Sequence, residues 1–311
     1  MTTETVVRPR PATEGGAPPE QRHGNGLPAL GFLAPFLLLY IAFVLGPTVY
    51  GLVMSFFDTS LVKPGLSGFA GFGNYTEALQ SAAFWSSLWH TVWFTILTTP
   101  PLIVLAFVFA LLADRAKNGR WFFRLAFFAP YILPSAVVAL IWIFIYTPEL
   151  GLLETALGKI GITSPNWLGD ASWAMPSLGI ATVWWTLGFN FILYLAGLQD
   201  IPTELYEASA IDGAGPWQQI RTITIPLLGR TTTLVAVLQV IASLKVFDQM
   251  YIMTAGGPNF STRSVLEYIY DEGFTNFRVG YASALSMLFF LVVLAVSAVW
   301  FMIVRSQESV V

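Results

Sequence analysis

Apolar residues gather into six long runs, near residues 29–56, 91–113, 122–147, 176–198, 231–254 and 281–304. A membrane-spanning helix needs about 20 consecutive apolar residues. Lipid offers no partner to a free backbone amide, so runs of this length predict helices rather than open sheet. The second run contains Pro100 and Pro101, the third Pro130 and Pro134, and the fourth opens on Pro176. Spanning helices tolerate such residues where neighbours satisfy the freed carbonyls. The predicted fold class is therefore an all-α integral membrane protein with six transmembrane helices.

The flanks read differently. Residues 1–26 are rich in Pro, Gly and charge and lack apolar periodicity, which predicts a disordered tail. Pro28 suits the first turn of the first helix. The run that follows is far longer than a signal h-region and shows no small-residue cleavage site, so an uncleaved anchor is expected. The span-bearing domain is expected over 27–305, with a short tail over 306–311.

Composition agrees with the pattern. Hydrophobic residues make up 55% of the chain and charged residues 11%, with a mean hydropathy of +0.67. Ordinary soluble domains carry about 25% charged residues. There is no cysteine, which excludes disulfides, thiolate metal sites and cysteine nucleophiles. No basic stripe points to nucleic acid.

Charge sets the expected orientation. With a cytoplasmic N-terminus, the inner side holds Arg8, Arg10, Arg22, Arg115, Lys117, Arg120, Arg124, Arg221, Arg230 and Arg305. The outer side then holds only Lys63, Lys159, Arg263 and Arg278. Both termini and the 199–230 segment are expected in the cytoplasm.

That 199–230 segment has a helix-turn-helix pattern. Pro202 suits a first helical turn, 203–212 are good helix formers, and Gly213 can take the left-handed conformation that ends a helix. A second helix can start at Pro216 and carry Trp217, Ile220 and Ile223 at helical spacing, with Pro226 breaking it before the fifth span. Taken alone, this is also the pattern of an interfacial amphipathic helix.

The same residues closely resemble the cytoplasmic coupling loop of ABC importer permeases. There the pattern is Glu-Ala-Ala, three residues, Gly, nine residues, Ile-x-Leu-Pro. Here it stands as Glu207-Ala208-Ser209, Gly213, then Ile223-Thr224-Ile225-Pro226, with Ser209 for the second Ala and Ile225 for Leu. Further likeness lies in Gly71-x-x-Asn74-Tyr75, in Thr254-x-Gly256-Gly257-Pro258 and in Tyr281-Ala282-Ser283-Ala284. Together these resemble the carbohydrate branch, the relatives of maltose and glycerol-phosphate permeases, and the first of two paired permeases within it.

The resemblance implies a type I ABC importer permease fold. It implies a prokaryotic cytoplasmic (inner) membrane, a second homologous permease subunit, two ATPase subunits and an extracytoplasmic solute-binding protein. It places Glu207, Ala208, Ser209, Asp212, Gly213, Ile223 and Pro226 in ATPase coupling. ATP and Mg are then bound by the partner ATPase, and no cofactor by this chain. In agreement, there is no Gly-x-x-x-x-Gly-Lys-Ser/Thr phosphate loop and no metal-ligand spacing, so no enzymatic activity of its own is expected.

Solute-path candidates come from polar and aromatic residues inside the runs: Trp184, Trp185, Asn190, Tyr194, Gln239, Lys245 and Asp248. Rings cover the apolar face of a sugar and amides bond its hydroxyls. Helix packing and interfacial belts are the alternative roles for Asn190 and the tryptophans. Lys245 and Asp248 stand at i and i+3, so a continuous fifth helix would put them on one face as a pair. With its charge offset in this way, the chain is expected to pass a neutral di- or oligosaccharide. A glycerol-phosphate-type solute is the alternative, and an ion-coupled secondary transporter the weaker one, since deep helix centres carry almost no charge.

Overall fold

A computed structural model describes residues 26–60, 62, 65–115 and 120–308. All but Gly26 of the expected N-terminal tail, and 309–311 of the C-terminal one, lie outside these residues. Among the described residues, extended structure is limited to one bridge between Phe57 and Phe69. The rest is helix and connection.

The chain divides into two units, Met1–Val49 and Tyr50–Val311. In the first, α1 (Gly26–Tyr40) passes through a π-turn, Ile41–Leu45, into the start of α2 (Gly46–Met54). The wider turn lies two residues ahead of Pro47, whose nitrogen has no proton to give the regular ladder.

The second unit takes in the end of α2 and then a short helix, α3 (Gly73–Gln80), held by the Asn74-Tyr75 pair. Asn74 Nδ2 donates to the carbonyls of Ser55 and Phe57 at 3.0 and 3.1 Å, and the Tyr75 hydroxyl meets Ser55 Oγ at 2.6 Å. Helix α4 (Ala82–Arg115) runs unbroken through Pro100 and Pro101 and begins well before residue 91. Then come α5 (Arg120–Ile132), α6 (Ser135–Tyr146) and α7 (Leu152–Lys159). The long α8 (Ala171–Gln199) starts on Asp170, whose carboxylate accepts from the Ser172 amide at 2.7 Å.

The coupling-type segment supplies α9 (Thr203–Ile211), α10 (Pro216–Gln219), a π-turn at Ile220–Thr224 and α11 (Ile225–Leu227). Helices α12 (Gly229–Leu244) and α13 (Asp248–Thr254) follow, then α14 (Val265–Tyr270), a π-turn at Asp271–Thr275 and α15 (Val279–Glu308).

Among the described residues, four helical stretches are long and apolar enough to cross a membrane: Gly31–Met54, Ala82–Arg115, Ala171–Gln199 and Val279–Trp300. Two bent pairs raise this to six if each pair is one span: Trp121–Ile132 with Ser135–Tyr146, and Pro216–Leu227 with Gly229–Leu244.

Small residues let the central helices approach closely. Ala106, Ala110 and Ala113 of α4 share a buried cluster with Phe191, Tyr194, Leu195 and Leu198 of α8. Gly188 of α8 lies against the backbone of α5, where a Cβ would strike the Phe127 carbonyl.

Three details depart from the sequence expectation. The third apolar run is not one straight helix: α5 and α6 meet at 99°. Leu133 precedes Pro134 and is thereby kept out of the helical region, and Pro134 stands extended at ψ 143° as the cap of α6. The fifth run is broken between Leu244 and Asp248, with Phe247 at φ −140°, ψ −64°. No proline or glycine marks that break. Finally, the chain does not bend at Pro226. The π-turn absorbs the missing donor through an Ile225 N–H to Ile220 carbonyl bond, and the 62° bend falls at Leu228, between α11 and α12.

Candidate functional site

The two helix breaks meet at one cavity of about 380 Å³. Tyr131 and Ser135 come to it from the α5–α6 break, and Lys245, Phe247 and Asp248 from the α12–α13 break. Trp185, Phe189 and Thr182 of α8, with Gln239, Ser243 and Gln249, complete the wall. Tyr131 stacks on Phe189 with centroids 5.2 Å apart, so the aromatic side is a continuous surface.

Local geometry explains several of these positions. The break at Leu133 frees a carbonyl, and Trp185 Nε1 donates to it at 3.1 Å. Trp185 thus lines the cavity and satisfies the bend at once. Ser135 Oγ donates to Asp248 Oδ2 at 2.6 Å. These two residues open α6 and α13, so two helix N-termini meet at the Asp248 carboxylate. Helix N-termini stabilise negative charge.

Lys245 and Asp248 are exposed to the cavity but do not pair. Among the described residues the ion pairs all belong to Arg278, with Glu77 at 2.7 Å and Glu272 at 3.6 Å. The expected shared helical face is lost because the helix stops at Leu244. Asp248 is instead held by Ser135, and Lys245 is left as a cation in the wall.

The other path candidates divide. Gln239 lines the cavity; Asn190 lies behind it, 1% exposed, and donates from Nδ2 to Gln239 Oε1 at 3.1 Å. Gln239 Nε2 in turn donates to Ser243 Oγ at 3.3 Å. The Asn190 side chain therefore hydrogen-bonds to the wall through Gln239. Tyr194 is a core residue, edge-on to Phe107 at 5.7 Å, away from this cavity. Trp184 is partly exposed and packs edge-on to Trp142 at 5.7 Å. Ser135, Thr182 and Gln249 were not singled out from sequence. Thr182 Oγ1 donates to Gln249 Oε1 at 3.2 Å, leaving Gln249 Nε2 buried without a partner.

The second candidate site is the helix-turn-helix from α9 to α11. Gly213 has φ +82°. The amide of Gly213 bonds the Ala210 carbonyl at 3.1 Å, and that of Ala214 bonds the Ser209 carbonyl at 2.9 Å. This is the Schellman pattern that closes a helix on a left-handed residue. Pro202 caps α9 from just outside rather than sitting within its first turn.

Glu207, Ala208, Asp212 and Gly213 are exposed, as is Pro226. Ser209 and Ile223 are half-buried, and Ser209 Oγ has no partner. Tyr206, not singled out from sequence, clasps the two arms. Its hydroxyl meets Thr224 Oγ1 at 2.9 Å, and its carbonyl accepts from Gln219 Nε2 at 3.0 Å. Ile211 and Trp217, either side of the turn, are 87% and 77% exposed. The clasp fixes the turn and leaves its polar and apolar tip uncovered.

Comparison with known proteins places this architecture. Residues 83–305 match the family described as binding-protein-dependent transport system inner membrane component. The sulfoquinovosyl glycerol transport system permease protein SmoG of Agrobacterium fabrum is 33% identical over 92% of this chain and 92% of its own length. The trehalose/maltose permease MalF of Thermococcus litoralis is 33% identical over 90% and 95%. The sn-glycerol-3-phosphate permease UgpA of A. fabrum is 33% identical over 88% and 94%. Among solved structures, a bacterial ABC transporter that imports alginate superposes with a TM-score of 0.80 at 23% identity, covering 90% of this chain and 96% of that one. That likeness speaks to the fold. The chain belongs to the binding-protein-dependent transport system inner membrane components, and is a multi-pass permease subunit of an ATP-binding-cassette importer rather than an enzyme.

Proposed function

We propose that this permease passes a carbohydrate, a neutral di- or oligosaccharide, through the cavity between α5–α6, α8 and α12–α13. The observation that carries this reading is the wall itself: stacked aromatic rings from α5 and α8, together with the Gln239 and Gln249 amides and the hydroxyls of Ser243 and Thr182. Rings suit the C–H faces of a sugar, and a few placed amides and hydroxyls suit its hydroxyl groups. The maltose and sulfoquinovosyl glycerol permeases among the relatives support the class.

Membership of the family supports the partners of this reading. A second homologous permease, two ATPase subunits that bind ATP and Mg, and an extracytoplasmic solute-binding protein complete the transporter. Both termini and the α9–α11 turn lie in the cytoplasm, as the basic residues of the sequence argue. Glu207, Ala208, Ser209, Asp212 and Gly213 meet the ATPase, with Ile223 and Pro226 carrying its motion toward α12. ATP-driven closure of the ATPases then rocks the helices from inward-open to outward-open.

Uptake of labelled sugars into proteoliposomes holding the full complex tests this. Uptake should stop when the ATPase is inactivated and survive a proton uncoupler. A glycerol-phosphate-type solute is the second reading, favoured by the unpaired Lys245 in the wall and by the UgpA relative. Competition by a phosphorylated polyol at low concentration, with neutral sugars without effect, would select it.

A further inference from the structure

We propose that the groove between α12 and α15 is a binding site for one anionic phospholipid of the inner leaflet. The groove has a volume of about 360 Å³ and is separate from the solute cavity. It shares no lining residue with that cavity.

Its lining is polarised. At one end stand four hydrogen-bond donors: the Arg230 guanidinium, the hydroxyls of Thr233 and Ser297, and Trp300 Nε1. Trp300 Nε1 is buried with no partner, and Arg230 takes part in no ion pair among the described residues. Along the rest run Leu234, Val237, Val240, Ile241 and Val296, all aliphatic. A solute path would not sort its polar groups to one end. A lipid has the matching order: phosphate, ester carbonyls, then hydrocarbon.

Length fits as well. From Arg230 to Ile241 the groove follows twelve residues of α12, or about 16 Å at the helical rise. Half of a bilayer's hydrocarbon core is about 15 Å. Arg230 then lies at headgroup level with Trp300 beside it, where interfacial tryptophans settle. Basic pockets between spanning helices on the cytoplasmic side select anionic headgroups. The assignment rests on the membrane orientation proposed above.

The assembled transporter, reconstituted in phosphatidylcholine vesicles with a trace of phosphatidylglycerol carrying a photoactivatable acyl chain, gives the test. Label should map to the α12 and α15 peptides. Unlabelled phosphatidylglycerol should compete about five-fold better than phosphatidylcholine, the worth of about 1 kcal/mol per basic residue near the surface. Arg230→Gln should bring the two competitors level. Val237→Trp, which fills the groove, should reduce labelling by either lipid. Equal competition in the unaltered protein, or labelling indifferent to Val237→Trp, would overturn the site. So would efficient cross-linking of Leu234→Cys to another permease subunit, since a protein helix would then occupy the groove. Uptake by the same vesicles is measured alongside: its loss with labelling intact strikes the transport reading alone.

Discussion

The coupling turn and the solute cavity are built from the sequence in different ways. All seven coupling residues named from sequence fall between Glu207 and Pro226, and the structure keeps them on one local element. The cavity instead draws on four stretches far apart in the chain, joined where two spans break. The turn is fixed by contacts within itself, the Tyr206 clasp and the Gly213 closure. The cavity is fixed by contacts between helices, Trp185 to Leu133 and Ser135 to Asp248. A local device can be changed without unfolding the rest, whereas a device made of helix breaks carries structure and function in the same side chains.

The largest effect should come from the turn. Glu207→Lys is expected to abolish uptake while the protein stays in the membrane, since the carboxylate is exposed and, in the proposed coupling role, faces the ATPase. Gly213→Val should act through the backbone alone. No atom lies within 4 Å of a Cβ built there, so the cost is the left-handed conformation at φ +82°. That cost is about 1–2 kcal/mol. ATPase co-purification and uptake are the readouts. Normal ATPase recovery with normal uptake in both variants would remove the coupling role.

Next in size is Trp185→Phe. The ring is kept, but the Leu133 carbonyl loses its donor at the bend. The carbonyl is only half-buried, so the loss is that of an ordinary hydrogen bond, about 0.5–1.5 kcal/mol. Thermal stability should fall together with uptake, in contrast to Glu207→Lys, where only uptake falls. A Trp185→Phe protein with full stability and lost uptake would mean that the indole serves solute alone.

The contrast also accounts for what the sequence could show. Span number, the coupling turn and the left-handed Gly213 follow from short-range rules: run length, helix stops, turn chemistry. Pro134 marks the first break, because a proline cap restricts the residue before it. Lys245–Phe247 carries no such mark, so the i, i+3 spacing of Lys245 and Asp248 reads as a pair that the structure separates. Tyr194 shows the same limit. An aromatic one turn from Asn190 fits a path by spacing, yet the face it shares is set by Phe107 on another helix. Tyr194→Ala is therefore expected to lower assembly, not uptake alone.

A smaller effect is expected for Asn190→Ala. It leaves Gln239 Oε1 without its donor but keeps the wall's other groups. Uptake should drop several-fold, in line with about 1 kcal/mol for a neutral hydrogen bond. Gln239→Ala, which removes a lining group, should cost more. In the double variant the two losses should be less than additive, because Asn190 acts through Gln239. Full additivity would give Asn190 a solute contact of its own.

The smallest effect, a change of slope with pH, belongs to neither region and serves as their control. Glu267 of α14 is 2% exposed, and one of its carboxylate oxygens has no partner. Burial, with Asp271 adding to it, raises its pKa from 4.5 to about 7. The folded protein thus holds this proton more tightly than the unfolded chain does. Stability from this group is full below about pH 4.5 and is lost as pH rises through about 7, beyond which it stays level. Glu267→Gln keeps the shape and removes the titration. The difference in melting temperature between the unaltered protein and this variant should change across that window. A constant difference from pH 4.5 to 8 would show that Glu267 titrates alike in both states.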